Sequence, residues 1–251
     1  MLFSQDRNLP NLCDKLAVRE WVRGKVGSSC LVPLIASGSS ETVFQSIPGR
    51  IGVLKCSHDS GSATFINNPT SEEIARLNKK FKRALSRKYG TGKGEWPYGL
   101  VPPRLIFEEL LPGTQTDISP PDIKVHCVSG EPRAYQVIAN RHSNPEGAIF
   151  LPSGERLKFD TSSSREVMGD FPVGEVIQKA EPIARRLSEG LAYVRVDLYL
   201  SEGDIFFGEL TFFPESGLFK HKEADRLSAV LRLSTRNPKP SIYDSRSESL
   251  L

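Results

Sequence analysis

The run Tyr193-Val194-Arg195-Val196-Asp197-Leu198-Tyr199-Leu200 alternates without a break, so Val194, Val196, Leu198 and Leu200 share one face of a strand and Arg195 and Asp197 the other. A second strand, Ile205 to Phe213, follows Ser201-Glu202-Gly203-Asp204. Regular alternation sets Ile205, Phe207, Glu209 and Thr211 on one of its faces, and Phe206, Gly208, Leu210 and Phe212 on the other. A hairpin loop of three residues, Glu202-Gly203-Asp204, then brings Asp197 opposite Glu209 and Arg195 opposite Thr211. Two carboxylates facing each other repel unless a cation lies between them. A hard divalent cation is the natural candidate, and Mg2+ held by one or two carboxylates with nucleotide phosphates completing its shell fits best. A four-residue loop would send the two carboxylates to opposite faces and remove the argument. The plainer alternative is a half-exposed strand with one polar side.

The rest of the chain must position these groups. It has 251 residues, with 33 Lys and Arg against 30 Asp and Glu, a formal charge of +3. At 38% hydrophobic and 25% charged it has material for a real core, which excludes global disorder and a supercharged nucleic-acid binder. Cys13, Cys30, Cys56 and Cys127 form no C-x-x-C pair and have no histidine at zinc-finger spacing, which argues against structural zinc or a disulfide framework. No run approaches 18 apolar residues, and the N-terminus lacks a basic segment followed by an apolar one, so the expectation is a soluble, cytoplasmic protein without a membrane span.

Helical spacing with Asp14 as N-cap predicts a helix through Leu16, Val18, Trp21, Val22 and Val26, ended by Gly27. A short strand near Cys30 to Ile35 and a buried strand Ile51 to Cys56 follow, the latter running into a small, polar, flexible loop from Ser57 to Ser62. Thr70 and Glu73 stand in capping-box spacing before a helix that buries Ile74, Leu77, Phe81 and Leu85 and closes near Gly90. Its other face carries Lys79, Lys80, Lys82, Arg83, Arg87 and Lys88, either a solvated face or a contact for a polyanion. Strands are expected at Arg104 to Leu111, at Ile123 to Val128 and Arg133 to Ala139 as a hairpin about Ser129-Gly130-Glu131-Pro132, at Ala148 to Leu151 and at Arg156 to Phe159. A helix from about Gly174 to Glu189 is expected to kink or restart at Pro182, and Pro238 to Leu251 reads as a frayed tail.

The string Arg195-Val-Asp197-x-Tyr, followed by Gly208-Glu209-Leu-Thr211-Phe-Phe-Pro214-Glu-Ser-Gly217, resembles the C-terminal signature of ATP-grasp enzymes, with Thr211 where the general signature has Asn. Upstream, Asp14-Lys15, Val18-Arg19-Glu20, Val53-Leu54-Lys55, His58-x-Ser60-Gly61, Trp96-Pro97-Tyr98, Glu108-Glu109 and Ile123-Lys124-x-x-Cys127-x-x-Gly130 occur in the order shown by one branch. On these motifs the chain resembles the TupA-like ATP-grasp family over about residues 10 to 230.

The resemblance implies an α+β fold whose two lobes clasp ATP between antiparallel sheets. Residues 1–40 would be a reduced N-terminal helical region, 41–110 the small lobe or lid, 111–237 the large lobe with the metal site, and 238–251 a flexible tail. It also implies an ATP- and Mg2+-dependent carboxylate ligase that makes an amide or related acyl bond in cell-surface polymer synthesis, with an uronic acid or amino acid among the substrates. In that reading Asp197, Glu209 and Thr211 face the metal, and Lys55 and Lys124 meet phosphates, with Lys15 also at the nucleotide. His58, Ser60 and Gly61 belong to the lid, Glu108, Glu109, Leu110 and Leu111 form the adenine and ribose hinge, and Arg195 stabilises developing negative charge. Each has an ordinary counterpart: Lys55 snorkelling from a strand end, Glu108-Glu109 as a surface pair, His58 as a loop histidine. Arg141 could approach the γ-phosphate or the acyl substrate, and His126, His142 and His221 receive no role. The short stretch before the Lys55 strand suggests an acceptor site that is partly missing or lent by a partner. A catalytically degenerate ATP-binding scaffold and a polyanion-binding module are the competing functions.

Overall fold

A computed structural model describes residues 7–90, 94–114, 120–140, 145–157, 171–214 and 230–231. Arg141, His142, Phe159, Gly217, His221 and the expected tail lie outside the described residues.

The chain opens with α1 (Leu9–Cys13) and α2 (Val18–Val26). Asp14 does not cap α2 as expected. It ends α1, accepts a hydrogen bond from the Leu16 N–H at 2.9 Å, and hands over to a turn whose Ala17 precedes α2. A competing local hydrogen bond has here displaced the start of the helix.

β1 (Leu34–Gly38), β2 (Ile51–Cys56), β3 (Thr64–Asn67) and β4 (Leu105–Glu108) form an antiparallel sheet in the order β1-β4-β2-β3. β1 belongs to this sheet although it precedes residue 41, because it pairs with β4. α3 (Ser40–Gln45), not foreseen within a Ser/Gly-rich stretch, and α4 (Ser71–Leu85) flank this sheet. Between them Val43, Phe44, Ile47, Leu54, Cys56, Ile66, Phe81, Leu105 and Phe107 make one core. The Thr70/Glu73 capping box is present, and α4 stops at Leu85, short of Gly90. Leu54 and Cys56 point into this core, so period 2 turns Val53 and Lys55 the other way.

The second sheet joins β5 (Asp122–Val128), β6 (Glu131–Ala139), β7 (Glu146–Phe150), β8 (Arg156–Leu157), β9 (Tyr193–Ser201) and β10 (Asp204–Thr211) in the antiparallel order β10-β9-β5-β6-β7-β8. α5 (Val173–Ser188) lays Val176, Ile177, Ala180, Ala184 and Leu187 against the apolar face made by Ile123, Val125, Val194, Val196 and Leu198. α5 runs through Pro182 as one helix, since Pro182 is on its exposed side and leaves the packed stripe intact. Leu9, Leu12, Val18, Val22 and Leu31 join this same core, which fixes the N-terminal helices to the larger sheet.

The β9–β10 hairpin differs from expectation in an instructive way. Its loop is two residues, Glu202 and Gly203, both left-handed at φ 49° and 83°. That turn alone would put Asp197 opposite Gly208. A bulge at Gly208 adds one residue to β10, so Phe207 pairs with Leu198 and Glu209 with Asp197, and Thr211 falls opposite Arg195. The expected pairing therefore holds, but the expected faces of β10 do not. Across the bulge the alternation switches, and Ile205, Phe207, Leu210 and Phe212 all enter the core. A Cβ on Gly208 would stand 2.9 Å from Tyr199 Cε2 and 3.0 Å from the Asp197 carbonyl oxygen. Gly208→Val should cost about 1–3 kcal/mol in urea unfolding; wild-type stability would show that the bulge does not require glycine.

Candidate active site

The face of the large sheet opposite α5 is polar. Lys124 on β5, Asp197 on β9 and Glu209 on β10 stand side by side in three adjacent strands. Asp197 receives Arg195 twice, Nε to Oδ1 and Nη2 to Oδ2, each at 2.6 Å. Lys124 Nζ approaches Oδ2 at 3.2 Å. The Thr211 hydroxyl lies 3.2 Å from Arg195 Nη2 and 3.4 Å from Asp197 Oδ2. Glu209 is held by Lys15, which comes from the turn between α1 and α2, at 2.9 Å. The cation that two facing carboxylates require is thus supplied by three side chains of the chain itself.

Burial acts against every one of these charges, and pairing wins. Burial would raise Asp197, yet Arg195 and Lys124 hold it down at about 2. Burial would likewise raise Glu209, but Lys15 keeps it below the usual carboxylate range. Lys15 is itself raised, because Glu209 outweighs its desolvation. Both carboxylates are therefore ionised at neutral pH and held by three cations, and the Asp59 carboxylate also acts on Lys15.

Lys15 also ties this face to the smaller sheet. Its Nζ donates to the Asp59 carbonyl at 2.6 Å and its N–H to the Ser57 carbonyl at 3.0 Å. The loop expected to be flexible is pinned at both ends. Ser57 Oγ donates to Pro102 O at 3.1 Å, and Ser62 Oγ accepts the Cys56 N–H at 2.9 Å and donates to Asp59 Oδ1 at 2.6 Å. Ser60 and Gly61 are exposed at its tip. His58 is buried, and neither ring nitrogen has a hydrogen-bond partner.

Lys55 and Glu108 form a second group. Lys55 Nζ sits 2.5 Å from Glu108 Oε2, while Arg19 takes Oε1 at 3.0 Å and the Val32 carbonyl at 2.7 Å. Glu108 is buried and holds two cations, so it is not a surface pair with Glu109. Glu109 is exposed, its N–H donating to Pro33 O at 3.0 Å, and half-buried Leu110 and Leu111 continue the segment that leaves the small sheet.

Among the described residues no three His, Cys, Asp or Glu gather as cation ligands. Asp197 and Glu209, with the Thr211 hydroxyl beside Asp197, are two hard carboxylates and one neutral oxygen. That set suits Mg2+ keeping most of its shell as water and phosphate, and does not suit zinc. Burial pushes the Cys13 and Cys127 thiols up to about 12 and Cys56 to about 11, so none of these is a thiolate nucleophile.

Two residues given no role beforehand belong to these groups. Arg19 appeared only within a motif; its helical position gave no sign that it reaches Glu108. His126 stands opposite Arg195, with Nδ1 2.9 Å from the Tyr193 hydroxyl, and its spacing of two from Lys124 was the available signal. Burial, helped by Arg195, drives His126 down to about 3. Below its ordinary value of about 6.5 the unfolded chain takes up a proton that the folded chain refuses until about pH 3. Stability present above pH 6.5 is therefore lost as pH falls, by about 1.4 kcal/mol per unit from this group. Denaturant titrations should show that slope, and His126→Gln should flatten it between pH 6 and pH 4; an unchanged slope would remove His126 as its source.

A family model described as TupA-like ATPgrasp matches residues 1–230. The comparison with curated proteins found no match. Among solved structures, D-alanine–D-alanine ligase from Bacillus anthracis is 15% identical with a TM-score of 0.47, covering 82% of this chain and 61% of that one. The ATP-grasp ligase PsnB complexed with minimal precursor is 15% identical with a TM-score of 0.44, over 90% and 61%. N5-carboxyaminoimidazole ribonucleotide synthetase from Thermus thermophilus is 15% identical with a TM-score of 0.40, over 80% and 45%. The chain spans less than two thirds of the length of these structures. With its two antiparallel sheets and a family match over nearly all of its length, this chain belongs to the TupA-like ATP-grasp family.

Proposed function

We propose that this chain is an ATP- and Mg2+-dependent carboxylate ligase working through an acyl phosphate. The observation that carries the reading is the facing pair Asp197 and Glu209 with Lys124, Arg195 and Lys15 around it. Lys124, Arg195 and Lys15 on this face, and Lys55 with Arg19 around Glu108, are the cations that a polyphosphate would meet.

In this reading the γ-phosphoryl group passes to a substrate carboxylate oxygen and ADP leaves. An amine then attacks the acyl carbon, phosphate departs, and the amine loses a proton. Such chemistry rests on positioning and charge neutralisation, so no side-chain nucleophile is required. Mg2+, held by Asp197 and Glu209 with Thr211 adjacent, would neutralise phosphate oxygens. Lys55 and Lys124 would hold phosphates, and Lys15 would exchange Glu209 for the nucleotide. Arg195 would stabilise charge developing on the transferred group. His58, Ser60 and Gly61 would cover the phosphates, with His58 bringing ring nitrogens that are not otherwise engaged. Glu108 to Leu111 would line the adenine and ribose. In the lobe division, the helices before β1 form a reduced N-terminal region, β1 with residues 41–110 the lid and 111–237 the large lobe. An amino acid or uronic acid as substrate, a role in cell-surface polymer synthesis and a cytoplasmic location complete the proposal.

ADP release with Mg·ATP should appear in the presence of one or more amino acids or uronic acids. Asp197→Asn and Glu209→Gln should each lower it by about 100-fold or more, and Lys55→Met should weaken Mg·ATP binding by about tenfold. The engagement of both Asp197 oxygens by cations favours a second reading, a nucleotide-binding scaffold without turnover. Mg·ATP binding without ADP release across the panel would select it. Mg·ATP affinity untouched by all three substitutions would refute the site.

A further inference from the structure

α4 and β3 enclose a groove of about 420 Å³ on the small lobe, distinct from the residues assigned above. Phe65, Ile66, Pro69 and Leu77 give it an apolar lining, and Arg76 and Lys80 stand exposed along it. Its acidic member, Glu73, is already committed to the capping box, its carboxylate bonded to the Thr70 N–H at 2.8 Å and hydroxyl at 2.9 Å. Arg76 and Lys80, the latter with its Nζ on Thr64 Oγ1 at 2.9 Å, outnumber this one carboxylate and leave the groove net positive. Lys79, Lys82 and Arg83, exposed on the same helix, extend the positive field beyond the groove.

The groove runs along an unpaired strand edge. β3 is the last strand of its sheet and pairs only with β2 among the described residues. The Asn68 N–H donates toward β2, to Arg50 O at 2.9 Å, so the alternation of an antiparallel ladder turns the backbone groups of Phe65 and Asn67 outward. Both of these residues line the groove. Such an edge is a template for another strand.

We infer that this groove binds an acidic peptide in extended conformation, which adds to β3 as a fifth strand. Its backbone pairs with Phe65 and Asn67, its carboxylates on the α4 side meet Arg76 and Lys80, and the alternate apolar side chains lie beside Phe65 on the other face. A flat anionic membrane fits less well, since it can reach the basic helix but can neither enter the groove nor pair with a strand edge. The inference does not depend on ligase activity.

The probe is a fluorescein-labelled hexapeptide alternating glutamate and valine, titrated against the full chain by anisotropy, with a lysine–valine peptide and phosphatidylserine vesicles as the other arms. The expected result is saturable, salt-sensitive binding of the acidic peptide alone. Arg76→Glu with Lys80→Glu should weaken it by about tenfold or more. Asn67→Pro, which removes an outward N–H while leaving the β2 ladder, should do the same with the circular dichroism spectrum unchanged. No binding of the acidic peptide at millimolar protein, equal binding of the lysine peptide, insensitivity to both variants, or binding confined to the vesicles would each overturn the proposal.

Discussion

A single extra residue in β10 decides the site. A two-residue turn is the tightest way to close the β9–β10 hairpin, and its twist matches that of the strands. Left uninterrupted, it would point Glu209 into the core beside Val196. The bulge at Gly208 changes the parity of the strand at that point, sending Glu209 and Thr211 to the polar face while Leu210 and Phe212 stay with Ile205 and Phe207. Glycine suits the position because Tyr199 and the Asp197 carbonyl leave no room for a Cβ. The same device recurs at the β5–β6 turn, where Ser129 and Gly130 are both left-handed and the register shifts beside Cys127.

Once parity puts two carboxylates side by side, electrostatics governs their surroundings. Buried Asp197 could not stay ionised unless it were paired, half-buried Glu209 is paired as well, and the chain provides Arg195, Lys124 and Lys15 from β9, β5 and the α1–α2 turn. Repulsion between facing carboxylates is therefore not in itself a sign of a metal, because protein cations relieve it. The feature that points to a polyphosphate is the convergence of Lys124, Arg195 and Lys15 on one polar sheet face.

Lys15 joins the parts. It contacts Glu209 of the large sheet and the backbone of the loop that follows Lys55, while its own segment is buried in the core of the large sheet through Leu12 and Cys13. The N-terminal helices thus act as a strap between the sheets. Arg19, on the next helix, does the same for Glu108 and the Val32 carbonyl.

The sequence by itself determined the periodic elements: the alternation of β9, the Thr70 capping box, the apolar stripe of α5 and the ordered motifs that identify the family. These are local properties, set by side-chain period and capping chemistry within a few residues. It also yielded the pairing of Asp197 with Glu209, though through a loop one residue too long. Tertiary structure alone decided the rest. The bulge is invisible to a period count, α3 and β3 are too short to show a period, and the partners of Lys15, Arg19, Lys55 and His126 lie on other elements. A buried charge acquires its meaning from what folding places beside it, and those neighbours are distant in sequence, as Lys15 and Glu209 at opposite ends of the described chain show.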